Sequence, residues 1–222
     1  MNRNSRRIQS NQQFRHEKLY DTLDRTRQTT YRKPVPDHTR NAFEWINSKI
    51  SNFDGDVILD SGCGTGESVR VLSRLHPDAL IIGIDKSLTR IKKARKHPDS
   101  GNTRFIQAEY FDFWRLAVQN EWTIKKHYIL YPNPWPKKQH LRRRIHGHPA
   151  FGCLMHLGNE IELRSNWSVY VQEFSIAVHY ITGKKAVWTQ FEPETPLTLF
   201  EQKYMQSGHA LFRCTFHPGE DQ

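Results

Sequence analysis

The stretch Val57–Gly66, V-I-L-D-S-G-C-G-T-G, constrains this chain more than any other. A short apolar run ends in Asp60 and passes directly into Gly62, Gly64 and Gly66, spaced G-x-G-x-G. This is how a strand turns into a helix at the first crossover of a parallel α/β sheet. Glycine lets the backbone bend tightly there and come close to a ligand. The next apolar run, L-I-I-G-I-D, ends in Asp85. A carboxylate about 20 residues beyond such a loop is placed to grip a ribose. Together the two features predict a cofactor that contains adenosine. The glycine pattern alone also suits a strand-to-helix turn that binds nothing; Asp60 and Asp85 in register favour the ligand.

The loop also selects among cofactors. A P-loop carries Lys followed by Ser or Thr after its last glycine, whereas Glu67 stands there in this chain. A dinucleotide loop is spaced G-x-G-x-x-G and offers its pyrophosphate a bare helix N-terminus. Here Asp60 and Glu67 bracket a tighter loop with negative charge. Carboxylates repel a diphosphate and suit a ligand carrying a sulfonium and an ammonium, which is S-adenosylmethionine.

The chain has 222 residues, enough for one sizeable core, and a formal net charge of +10. An excess of cations creates a positive field that suits a polyanion, so nucleic acid is favoured over a merely solvated basic surface. No run is long and apolar enough to span a membrane. Three cysteines without a C-x-x-C spacing read as reduced thiols of a cytoplasmic protein. The Arg-rich start lacks the apolar segment of a secretory signal.

Two regions follow from composition. Residues 1–36 are polar and basic, with Arg3, Arg6, Arg7, Arg15, Arg25, Arg27 and Arg32, and read as a flexible arm. Residues 37–222 read as a single domain. Within it, Asp37 or Thr39 caps a helix running to Ile50. Strands are expected over 56–60, 80–85, 103–108, 127–131, 160–164, 186–190 and 211–216. Helices fall over 67–75, from Ser87 to before Pro98, from Phe111 and over 167–180. Alternating strands and helices predict a mostly parallel sheet with helices on both faces. Ligands of such sheets lie beyond the carboxyl ends of the strands. Those ends carry Asp60, Asp85, Glu109 and Asn133. Glu109 is either an acceptor for the adenine amine or a solvated loop acid.

After the fourth strand comes Y-P-N-P-W-P-K-K-Q-H-L-R-R-R, residues 131–144. Its three prolines stiffen the loop and remove backbone donors. Trp135 offers a stacking plate, and Lys137, His140, Arg142, Arg143 and Arg144 gather positive charge. Aromatic and cationic groups beside a reaction centre suit a base and its phosphates.

This loop resembles the P-D-P-W-x-K-x-x-H-x-x-R-R segment of the bacterial tRNA (guanine-N7)-methyltransferases. The likeness runs from Asp56 to Phe216 and takes in the glycine loop, G-I-D, E-L-R-S-N-W at 162–167 and T-L-F-E-Q at 198–202. It implies a Rossmann-like class I S-adenosylmethionine-dependent methyltransferase with a mostly parallel seven-stranded sheet, acting on tRNA guanine N7. By the same resemblance Asp60, Gly62, Gly64, Gly66, Asp85, Glu109 and Asn133 hold the cofactor. Asn133 also sits at the transfer step. Trp135, Lys137, His140, Arg142, Arg143, Arg144, Asn166, Thr198 and Glu201 meet the substrate; for Thr198 and Glu201 a helix cap is the alternative. The chain departs from the family at two positions: Asn133 and Asn166 stand where the family has Asp.

Those departures leave the acceptor open to a different nitrogen, an exocyclic amine or a small heterocycle, or to an RNA-binding homologue without chemistry. The expected partner is tRNA or another RNA, to a monomer or homodimer, with no membrane. No metal is expected, because His146, His148, Cys153 and His156 fit no familiar zinc spacing. They read as packing or phosphate-contacting residues.

Overall fold

The computed structural model describes residues 5–97 and 101–219. Along them run α1 (Leu19–Gln28), α2 (Asp37–Ile50), β1 (Val57–Ser61), α3 (Glu67–Leu75), β2 (Leu80–Asp85), α4 (Leu88–Ala94), β3 (Thr103–Gln107) and α5 (Tyr110–Gln119). Then follow β4 (Lys126–Leu130), α6 (Phe151–Leu154), β5 (Glu160–Ser165), α7 (Ser168–Thr182), β6 (Val187–Phe191), α8 (Leu199–Gln206) and β7 (Leu211–Phe216). One sheet joins the strands in the order β3-β2-β1-β4-β5-β7-β6. Pairing is parallel from β3 through β5, and β7 runs antiparallel to both neighbours.

Helices cover both faces, so β1 and β2 are largely apolar on both sides rather than alternating. Every residue of β1 and β2 is buried. One core packs residues of α1, α2, α5, α6 and α7 on the sheet. The other lies under α3 and α4. Alternation along β1 still decides which way each side chain points. Ser61 faces α5, where it accepts a hydrogen bond from Trp114 Nε1 (2.9 Å) and pairs with His127 Nε2 (2.8 Å). Asp60 faces α3.

The chain leaves β1 toward β2 and β3, and leaves β4 toward β5, although β1 and β4 are neighbours. This reversal opens a crevice at their carboxyl ends, the place where sheets of this kind bind ligands. The glycine loop and the Asn133 loop both arise there.

Three expectations from the sequence need correction. Residues 5–36 are not a free arm: α1 buries Leu19, Thr22, Leu23 and Thr26 on one face, against α7 and α6. Two leucines and two threonines make too thin a stripe to stand out from the surrounding charge. A helix of ten residues is marginal alone and depends on that packing. Arg3 lies outside the described residues. Second, Pro36 precedes α2, and neither Asp37 nor Thr39 caps it; Thr39 is buried. Third, the basic run is a tight 3₁₀ helix, Lys138–Arg143, and Thr198 begins a helix, α8.

If α1 is part of the core, Leu23→Ala lowers unfolding stability by about 2–5 kcal/mol, the usual loss for a buried leucine. Urea denaturation followed by circular dichroism measures this. A loss below about 0.5 kcal/mol, typical of surface sites, contradicts the docking.

Candidate active site

Gly62, Gly64 and Gly66 have φ of 92°, 59° and 81°, values that side-chain-bearing residues rarely adopt. The loop folds back over β2, where the Gly62 and Cys63 N–H groups donate to Ile84 O at 2.8 and 2.9 Å. A side chain built on Gly62 or Gly64 meets open space, whereas one on Gly66 strikes the Phe105 ring at 2.5 Å. The first two glycines thus leave room above the strand ends, and the third brings α3 close to the sheet. Glu67 turns aside to Arg70 (3.1 Å), which leaves Asp60 and Asp85 as the acids of the loop.

Asp60 is 1% exposed. Ser68, in the first turn of α3, donates to its Oδ2, while Oδ1 has no hydrogen-bond partner. Burial, with the charge of Asp85 adding to it, outweighs the Ser68 hydrogen bond and pushes the carboxyl up to about 7. Asp85 is also buried but well supplied. Its Oδ2 accepts from Gly64 N (3.1 Å) and Arg90 Nη1 (3.1 Å), and its Oδ1 from Ser87 N (2.8 Å). A carboxylate offers roughly four lone-pair sites, so one remains for a hydroxyl. Glu109 lies half-buried at the end of β3, where desolvation raises its pKa.

Beyond β4 the chain bends through Tyr131-Pro-Asn-Pro-Trp135. Tyr131 and Trp135 hold φ of 52° and 46°. Non-glycine residues there cost of order 1–3 kcal/mol and persist only when neighbours fix them. Asn133 between them is exposed, and its Oδ1 accepts from Trp135 N (3.3 Å).

The front of the loop is braced by Glu201. Its Oε1 accepts from Tyr131 OH (2.7 Å), and both oxygens accept from Arg164 Nη1 (2.9 and 3.2 Å); Leu197 N donates to Oε2 at 2.6 Å. Glu201 is fully buried, and Thr198 Oγ1 caps α8 by accepting from Glu201 N (2.9 Å). The pair expected to touch substrate therefore forms a helix cap and a brace. Asn166 lies beside the brace, half-buried, with Nδ2 on His209 Nδ1 (3.2 Å).

The cationic run divides. Lys137, Arg142 and Arg143 are exposed, and the Arg143 guanidinium lies 4.8 Å over the Trp135 ring. His140 meets the same ring edge-on at 5.4 Å. Arg144 points the other way. It is fully buried, ion-paired to Glu173, stacked over Trp167 at 4.8 Å, and bonded to Trp135 O through Nε (3.3 Å) and Nη2 (3.2 Å). The expected substrate contact at Arg144 is thus a support beneath the loop: a tight turn sends successive side chains to opposite sides.

Arg164 and Glu173 escaped the sequence reading. Their signals were present: Glu160, Glu162 and Arg164 alternate with apolar residues on a central strand, and Glu173 is a lone acid inside an apolar helix. Charges in such places are buried only with partners.

Among the described residues, no cluster of three or more His, Cys, Asp or Glu is arranged to hold a metal ion. His146 is packed on Glu173 and His148 stacks on Phe111 at 3.6 Å. No helix among these residues is long and apolar enough to cross a membrane. A cavity of about 1160 Å³ opens between Tyr31, Arg115, Cys153 and Lys184, and none of the predicted site residues lines it. The crevice fits S-adenosylmethionine on its own terms. It holds a buried acid with an unpaired oxygen, a second acid with a lone pair to spare, and glycines that leave space beside both.

Residues 54–214 match a protein family described as "Putative methyltransferase". The chain is similar to the tRNA (guanine-N(7)-)-methyltransferase of Thiobacillus denitrificans, with 26% identity over 72% of this chain and 74% of that protein. It is similar to the enzyme of the same name from Nitrosococcus oceani, with 26% identity over 78% and 75%. In fold it is similar to the 16S rRNA methyltransferase KamB, with a TM-score of 0.57 and 17% identity over 78% of this chain and 91% of that one.

The buried acid makes stability depend on pH. Unfolded, Asp60 titrates near the ordinary 3.8; folded, at about 7. Below about pH 4 the group is protonated in both states, and between about pH 4 and 7 only the unfolded chain ionises, so its share of the stability falls as pH rises. Asp60→Asn removes that slope. Urea midpoints of the variant are expected to gain on the wild type from about pH 4 and level off above about pH 7, by a few kcal/mol in all. Parallel curves contradict the burial of an unpaired acid.

Proposed function

We propose a reaction for a chain that belongs to the methyltransferase family matched by its residues 54–214: transfer of a methyl group from S-adenosylmethionine to guanine N7 in tRNA. One observation carries this reading. The buried, half-satisfied Asp60 and the strained Asn133 loop stand at the carboxyl ends of the neighbouring strands β1 and β4, where sheets of this kind bind ligands. The relatives named for tRNA guanine N7 supply the acceptor.

S-adenosylmethionine, when bound, supplies a methyl group on a positively charged sulfur. Asp60 would hold the cationic end of that molecule, Asp85 would accept from a ribose hydroxyl, and Glu109 would accept from the adenine amine. The acceptor needs little more than placement. Guanine N7 has a lone pair and no proton to lose, so alignment of nitrogen, carbon and sulfur does most of the work. Asn133 offers a dipole that can donate to O6 or accept from the exocyclic amine, whereas the Asp of the resembling family accepts two guanine hydrogens and favours the positive charge the product gains. Trp135 stacks on the base or its neighbour, and Lys137, Arg142 and Arg143 meet phosphates. The reaction belongs to the cytoplasm, where tRNA is modified.

Incubation with labelled S-adenosylmethionine and total tRNA, followed by nucleoside mass analysis, tests this. The expected product is 7-methylguanosine. Asn133→Asp restores the acid of the resembling family, accepts the same Trp135 N–H, and is expected to raise the rate on tRNA. Label in another nucleoside or in a small heterocycle, with no gain from Asn133→Asp, overturns the guanine assignment.

A further inference from the structure

The segment before α1 crosses the carboxyl-end face and touches the Asn133 loop from below. Ser5 O accepts from His209 Nε2 (3.0 Å), and Ser10 Oγ donates to Pro136 O (2.6 Å). Gln12 is 4% exposed although glutamine is usually a surface residue. Its Nε2 donates to Glu173 Oε1 (2.7 Å) and Phe14 O (2.9 Å), and its Oε1 accepts from Arg144 Nη2 (2.9 Å). His16 N donates to the same Glu173 oxygen (2.7 Å). Burial alone pushes the Glu173 carboxyl up, but His146, Arg144 and the His16 N–H outweigh it and hold it at about 2. The acid is thus ionised and fixed.

We infer that Gln12 is a positioning residue for methyl transfer, acting through Arg144 and Trp135 on Asn133. The chain of contacts is continuous. Gln12 and Glu173 fix the Arg144 guanidinium. Arg144 holds the Trp135 carbonyl, and the Trp135 N–H holds Asn133 Oδ1. The loop cannot hold itself: prolines at 132, 134 and 136 have no N–H to give. Two aromatic residues at positive φ need an outside brace. The Glu201 brace serves the front end through Tyr131, and the N-terminal segment serves the back. This inference takes from the proposed function only the assignment of Asn133 to the acceptor.

Gln12→Ala tests it, because Arg144 and Glu173 keep each other as partners and the fold survives. Hydrogen exchange of the Trp135 amide, read by NMR, reports the loop, since this is the N–H that holds Asn133 Oδ1 and the flanking prolines have none. In the variant, exchange there is expected to speed up tenfold or more, while exchange in β1 and the affinity for S-adenosylmethionine stay as in wild type. On tRNA, kcat falls about tenfold and the KM for S-adenosylmethionine does not move; titration with that cofactor counts the folded sites. Gln12→Glu keeps the acceptor for Arg144 but faces the Glu173 carboxylate, and is expected to fail as Gln12→Ala does. Unchanged exchange overturns the inference, as does faster exchange with kcat within twofold of wild type. A wild type that methylates no RNA overturns the proposed function instead, and the exchange data then decide the brace alone.

Discussion

An acid taken out of water with one oxygen unpaired is the constraint on which this structure rests. β1 is central and parallel, so both of its faces must be covered, and whatever stands at its carboxyl end is buried with it. Asp60 stands there. Ser68 answers one oxygen, and the N-terminus of α3 contributes a favourable dipole. Neither offsets desolvation beside a second carboxylate, Asp85. An amide at this position avoids the cost of ionising a buried acid above about pH 4. A ligand that brings positive charge offsets the same cost, and the glycine loop leaves the room for one.

The second half of the site is built on a different principle. The glycine loop is shaped by the local turn, whereas the Asn133 loop is held by residues remote in sequence. Glu201 on α8 and Glu173 on α7 each pair with an arginine, and each reaches one end of the loop. A buried pair of this kind adds little net stability. Its contribution here is geometric, since it fixes two strained aromatic residues and the asparagine between them. Lys137, Arg142 and Arg143 stay exposed on the outer side of the loop.

Much of this was legible in the sequence. The seven strands fall within a residue of their expected bounds, because β1 and β2 are nearly continuous apolar runs and the others are short apolar or alternating runs between turn residues. The glycine loop, Asp60 and Asp85 come together as their places at strand ends require, and Asn133 follows the end of the neighbouring strand β4. Direction was harder to read. Whether Arg144 faces out like Arg143 or inward depends on the 3₁₀ turn that carries it, and composition says nothing of that. Glu201 was visible as a motif acid, but its role depends on Arg164 and Tyr131, which arrive from two other strands. The docking of α1 rests on two leucines in a charged segment, below what periodicity detects.

The most direct test of the central claim is titration calorimetry with S-adenosylmethionine in two buffers of different ionisation enthalpy, at about pH 6. There Asp60 is largely protonated in the free protein, being pushed up to about 7. A cation settling beside it lowers its pKa and drives the proton off. The account predicts binding with release approaching one proton per site in the wild type, and none from Asp60→Asn. Binding without proton release, or no binding at all, contradicts it.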